Sequence, residues 1–232
     1  MMKTLGILGG MSWESTAVYY RLINQAVGAR FGGLHSAPLL LHSLDFAAVA
    51  AGQRAGDWPG LAQQLGAAGA GLVRAGAGAL LIATNTMHKL AGPVQAAAGV
   101  PLLHIGDATG RALRDAGVKR AGLLGTRFTM EDASVLREHL AQDYGVETVV
   151  PDEPGRAETH RVIFDELCCG RIEARSRNAY AAIIGDLARD GAEAVILGCT
   201  EIGLLIAAAD SPLPVFDTTT LHAAAAVDWI CS

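Results

Sequence analysis

The segment Lys3–Met11, KTLGILGGM, returns 116 residues later as KRAGLLGTR at Lys119–Arg127. Ala75–Thr86, AGAGALLIATNT, returns 115 residues on as DGAEAVILGCTE at Asp190–Glu201. Val100–Thr109, VPLLHIGDAT, returns 113 residues on as LPVFDTTT at Leu213–Thr220. Three matched segments in one order, with offsets that drift by only three residues, describe a duplicated unit. Whatever fold the first half adopts, the second must adopt as well.

Each half alternates short apolar runs with longer helical patterns. Strands are expected near 3–9, 37–42, 78–83, 100–105, 119–125, 146–150, 193–198 and 213–217. Helices are expected near 14–29, 57–75, 89–98, 108–116, 130–143, 156–169, 174–190, 201–209 and 219–230. Runs such as ALLIA and AVILG are apolar throughout, as in strands buried on both faces of a parallel sheet. The expected class is α/β, with two quasi-equivalent lobes, each a mainly parallel four-stranded sheet flanked by helices, and an active site between them. The first lobe is expected over 1–106 plus 217–232, the second over 107–216. The C-terminal helix is thereby assigned to the first lobe.

Composition removes several alternatives. A formal charge of -5 argues against a nucleic-acid binder, which needs a basic surface. No run of about 18 uncharged apolar residues marks a membrane span. The opening MMKTLGILGGMSWES lacks the apolar stretch and cleavage site of a signal peptide. Cys168, Cys169, Cys199 and Cys231 form no CxxC pair, and no HxxxH or HExxH spacing occurs, so neither a disulfide framework nor a metal site is expected. A reduced, cytoplasmic setting is expected.

Ligands of parallel α/β sheets bind beyond the carboxyl ends of the strands. Four such corners concern us: Gly9-Gly10-Met11-Ser12, Thr84-Asn85-Thr86, Gly125-Thr126-Arg127-Phe128-Thr129 and Cys199-Thr200-Glu201. All are rich in small and hydroxyl residues, and each precedes a helical pattern whose first free amides suit a small anion. Ser12 and Thr129 also read simply as helix N-caps, Thr129 with a capping box. Cys168, Cys169 and Cys231 read as structural. Cys199, between a glycine and a threonine at an expected helix start, is placed where a thiolate is favoured.

GILGGMSWEST, TNTMH and GCTEI together resemble the cofactor-independent aspartate/glutamate racemases, over essentially the whole chain. In that family one cysteine from each lobe faces each side of Cα; one thiolate removes the α-proton and the opposing thiol returns one. The resemblance implies an isomerase without pyridoxal phosphate or metal, acting on a small amino acid, in a homodimer. It carries over onto Cys199 as one catalytic residue. The partner position falls on Thr84, where this sequence departs from the pattern. A hydroxyl is a poor base, so the departure implies an asymmetric enzyme. In that family the second-lobe cysteine acts on the L-amino acid, so the resemblance implies that L is the favoured enantiomer. Asn85, Thr86, Thr200 and Glu201 are expected around the substrate, with Met11 and Ser12 closing the pocket and Gln53 reaching the substrate side chain. Arg54, Arg156 and Arg161 are the candidates for holding a distal carboxylate.

Two other readings compete. One is a single-cysteine relative of the same superfamily, an arylmalonate decarboxylase or a hydantoin racemase; a lone proton-donating thiol at Cys199 suits decarboxylation, where an enolate forms without a base. A non-catalytic carboxylate-binding protein would keep the cleft without needing the thiol.

Overall fold

A five-residue run, LGILG, forms the buried strand β1 (Leu5–Gly9) at the centre of the first of two sheets. The computed structural model describes residues 2–232. The first sheet adds β2 (Leu39–Ser43), β3 (Ala79–Ile82) and the two-residue β4 (Leu102–Leu103), in the order β2-β1-β3-β4 and parallel throughout. The second contains β5 (Arg120–Gly125), β6 (Glu147–Val149), β7 (Ala194–Gly198) and β8 (Val215–Asp217), parallel in the order β6-β5-β7-β8. The duplicated segments thus occupy the same strand positions in both sheets.

Side chains of β3 alternate between the two faces of the first sheet, as period-two geometry requires. Leu80 and Ile82 join Leu8, Met11 and Met87 in one cluster, covered by α2 (Phe46–Ala55), α3 (Trp58–Arg74) and α4 (Ala91–Ala98). Ala79, Leu81 and Ala83 join Leu5, Ile7 and Tyr19 in the other, covered by α1 (Trp13–Phe31) and by Ala223, Ala226 and Ile230 of α11 (Thr218–Cys231). In the second sheet Val195, Leu197 and Cys199 point to one cluster, packed by α8 (Glu153–Asp165) and α9 (Ala174–Arg189). Ala194 and Ile196 point to the other, packed by α5 (Ile105–Asp115) and α7 (Arg137–Tyr144). The compact units run to His104 plus His222–Ser232, and over Ile105–Leu221. Among the described residues no helix is long and apolar enough to cross a membrane.

Several expected elements shift. Helix α2 was not expected at all; Asp45 caps it by accepting from the Ala47 amide at 3.1 Å. The helix expected over 130–143 is two pieces, α6 (Arg127–Glu131) and α7, because the Asp132 carboxylate accepts from both the amide and hydroxyl of Ser134 and holds a turn between them. The cap of α6 is Thr126, whose hydroxyl accepts from the Thr129 amide at 3.4 Å, so Thr129 is inside the helix rather than its cap. The helix expected near 201–209 is a four-residue turn, α10 (Ile202–Leu205), and a 3₁₀ turn at Ala208–Asp210.

Gly10 is required by close approach. Its φ is +84°, and a Cβ there would fall 2.1 Å from the Leu44 carbonyl oxygen. The chain can therefore fold tightly from β1 toward Ser12 only with glycine at that point.

Helices α5 and α7 are clamped by His139, which bonds Asp107 at 2.8 Å and Asp143 at 3.1 Å. The hydrogen bond to Asp107 is the main reason its pKa is raised from the usual 6.5, against an opposing effect of burial. Because the folded value is raised, the stability it confers is fully present below the unfolded pKa and lost as pH rises through the folded one. We expect wild type to melt higher than His139→Gln at mildly acidic pH, by no more than about 1 kcal/mol for a partly exposed pair. Thermal melts across the neutral range should show that margin closing as pH rises.

Candidate active site

In the second unit the carboxyl end of β7 carries Cys199, Thr200 and Glu201, all buried. Period-two geometry turns Cys199 to the same face as Val195 and Leu197, so its sulfur is shielded by the packing of α8 and α9. Its thiol donates to Glu201 Oε2 at 2.9 Å, and the Thr200 hydroxyl donates to the same oxygen at 2.6 Å. The other oxygen, Oε1, accepts from the Cys168 thiol at 3.8 Å. One buried carboxylate thus gathers two thiols and a hydroxyl.

The electrostatics differ from the expectation of a thiolate. Burial pushes the Cys199 thiol well above its ordinary pKa, and the Glu201 carboxylate beside it adds to that. A helix of one turn has little dipole to oppose these effects. The resting group is the thiol, with a carboxylate already hydrogen-bonded to its proton. Burial likewise raises the Cys168 thiol, with Glu201 again the charged neighbour. Cys168, read from sequence as merely structural, belongs to this cluster. It lies in the middle of the 3₁₀ turn Leu167–Cys169, 33 residues before Glu201, and no local pattern connects the two.

In the first unit the carboxyl end of β3 carries the partly exposed Thr84 and the buried Asn85 and Thr86, leading into a 3₁₀ turn at Thr86–Leu90. Four ties fix this corner. The Ser15 hydroxyl donates to the Ala83 carbonyl at 2.9 Å, joining α1 to the strand end. His88 Nδ1 lies 2.8 Å from the Thr84 carbonyl, and the His88 amide donates to the Asn85 carbonyl at 3.0 Å. Gln53 of α2 donates to Met87 Sδ at 3.1 Å. Gln53 is therefore brought to the TNTMH corner, and Met11 joins it through the cluster it shares with Met87. Ser12 caps α1, its hydroxyl accepting from the Ser15 amide at 3.2 Å.

The three candidate arginines separate. Arg161 forks onto Glu158 and also reaches the buried Glu166 at 2.9 Å, so its charge is engaged. Arg156 pairs with Glu131 at 3.3 Å and donates to the Pro151 carbonyl at 2.8 Å. Arg54, in the last turn of α2 next to Gln53, is exposed and forms no ion pair among the described residues.

The two units therefore define a duplicated parallel α/β protein with a thiol–carboxylate pair after β7 and a hydroxyl at the equivalent position after β3. Residues 8–226 match the family described as Asp/Glu/hydantoin racemase. The chain belongs to that family. It is 48% identical to a Yersinia pestis protein solved as a candidate Asp/Glu racemase, over 100% of both chains, with a TM-score of 0.93. It is 32% identical to an aspartate racemase homologue from Pyrococcus horikoshii OT3, again over 100% of both chains, with a TM-score of 0.86. A Picrophilus torridus aspartate racemase shares the fold at 22% identity, over 97% of this chain and 93% of the other, with a TM-score of 0.77.

Proposed function

We propose that the protein is a cofactor-independent racemase of aspartate or glutamate, with Cys199 working on one face of Cα and Thr84 on the other. The observation that carries the reading is the 2.9 Å bond from the Cys199 thiol to the buried Glu201 carboxylate, at the position that the repeat equates with Thr84. Glu201 takes the thiol proton, and the thiolate so formed takes the α-proton of the L-enantiomer. The Thr84 hydroxyl gives its proton to the opposite face of the carbanion, and water restores the hydroxyl. Glu201 passes the first proton to water, so the protons balance. Asn85, Thr86 and Thr200 hold the α-carboxylate, Met11, Ser12 and Gln53 bound the substrate, and Arg54 is the cation left to meet a distal carboxylate.

The asymmetry has a fixed form. The two enantiomers have equal free energy, so kcat/KM for net inversion must be the same in both directions. A high barrier on the Thr84 side slows inversion from either side, yet leaves the Cys199 side open. L-substrate then exchanges its α-proton with retention faster than it inverts, while D-substrate exchanges slowly by any route. Preference for L is a preference in exchange.

Glu201→Gln keeps the shape and removes the base. Turnover should fall by about 10²- to 10⁴-fold, the usual contribution of a positioned acid or base. Chiral chromatography of L-aspartate and L-glutamate, incubated with protein dialysed against a chelator, checks this. Wild type should form the D-enantiomers without added metal or pyridoxal phosphate. A requirement for either, or full activity in Glu201→Gln, contradicts the proposal.

The raised pKa of Cys199 also favours a second reading, because a thiol that rests protonated is ready to donate to an enolate. Decarboxylation of an arylmalonate would use it so. Release of CO2 from phenylmalonate, with no exchange in aspartate or glutamate, would favour that alternative.

A further inference from the structure

Behind the TNTMH corner lies a histidine that the proton transfers above do not use. His88 is buried, with its ring edge-on to His104 at 4.8 Å between centroids and to His222 at 5.4 Å. A carbonyl oxygen only accepts, so the 2.8 Å contact with the Thr84 carbonyl requires a proton on Nδ1. Nε2 is buried and has no hydrogen-bond partner among the described residues. His222 cannot supply one. Its Nε2 donates to the Leu103 carbonyl at 2.8 Å, and its Nδ1 meets the Tyr19 hydroxyl at 2.9 Å.

We infer that His88 is a positioning residue for Thr84, whose ring Nδ1–H holds the Thr84 carbonyl and so fixes the direction of the Thr84 hydroxyl. The idea rests on the proposed role of Thr84. Three observations support it. The side chain's hydrogen bond goes to the one residue in the corner whose aim governs inversion. Its second nitrogen bonds no described residue, so the Thr84 contact is the bond the protein itself gives the ring nitrogens. Burial first, and then the neighbouring His104 and His222, push its pKa well below the usual value, which keeps the ring uncharged.

The two amide substitutions separate this role from simple packing. Asparagine places an N–H near the position of Nδ1; glutamine places one near Nε2 and leaves Nδ1 unreplaced. The readout is the ratio of inversion to α-deuterium uptake with retention, for L-aspartate and L-glutamate in heavy water. Retained exchange needs only Cys199 and Glu201, so a general loss of structure lowers both quantities, whereas a misdirected Thr84 lowers the ratio. We expect His88→Gln to lower it on the order of 10- to 100-fold, as small displacements of a reacting group do, and His88→Asn to recover most of it. Thr84→Ala is the control. If Thr84→Ala lowers the ratio and His88→Gln does not, the positioning role is wrong. It is equally wrong if asparagine and glutamine lower it alike.

If Thr84→Ala leaves the ratio unchanged, the role of Thr84 is what fails, and the inference built on it falls too. Nitrogen-15 NMR of the wild-type histidines tests the bond itself, independently of activity and of whether any variant folds. His88 should show a protonated Nδ1 and a bare Nε2 around neutral pH. The opposite tautomer, or an imidazolium, overturns the inference.

Discussion

Thr84→Cys should open the slow face of the reaction. A thiol with an ordinary pKa of roughly 8.5 is a far better base than an aliphatic hydroxyl, and cysteine is close to threonine in size. Thr84 is partly exposed, so a thiol there is not held to the fully buried environment that raises Cys199. Deuterium uptake by D-aspartate or D-glutamate should rise on the order of 100-fold, within the range of a positioned acid or base. Net inversion should rise in both directions by one common factor, since their kcat/KM values are tied. A variant that binds substrate but gains neither would show that Thr84 does not face Cα.

Cys199→Ala should have the opposite effect, abolishing inversion and exchange while the fold survives. The loss should be about 10²- to 10⁴-fold. Removing one sulfur from the buried cluster around Leu197 and Ile202 costs stability, but of the small-cavity kind. Cys199→Ser should be nearly as damaging, because its hydroxyl yields no useful base even with Glu201 beside it. Cys231→Ala should keep activity, since Cys231 packs beside the Leu5–Ile7 cluster of the first unit and is no part of the cluster that holds Cys199. Chiral chromatography and a thermal melt on each variant separate lost chemistry from lost structure.

Much of the fold was legible because the central strands are buried on both faces. ALLI at β3 and AVILG at β7 have no exposed residue, so they are apolar without interruption and stand out from the helices between them. Duplication then reinforced the reading, since β1, β3 and β4 each had a twin in β5, β7 and β8. Helix α2 was not legible: FAAVAAGQRA is short and rich in alanine and glycine. The break at Asp132-Ala133-Ser134 was hidden because a side-chain turn can end a helix without glycine or proline.

The site was legible to the extent that it is local. The repeat equates Thr84 with Cys199, while their expected roles came from the resemblance, and the Gly10 corner stood out by its paired glycines. The state of the thiol was not. A helix start suggests a lowered pKa, yet burial and the Glu201 carboxylate reverse the direction, and both depend on packing. Cys168 reaches Glu201, and Gln53 reaches Met87, across 33 and 34 residues of chain, and no period in the sequence reports such contacts.

A thiol and a hydroxyl that divide the two faces of Cα unequally should exchange the α-hydrogens of the two enantiomers at unequal rates. Proton NMR in heavy water, following the α-hydrogen of L- and D-aspartate and of L- and D-glutamate with wild-type protein, measures this directly. The expected result is rapid loss of the α-hydrogen signal from the L-enantiomer of at least one of the two amino acids, with slow loss from its D-enantiomer at the same concentration. Equal rates from both enantiomers, or no exchange in any of the four, would contradict it.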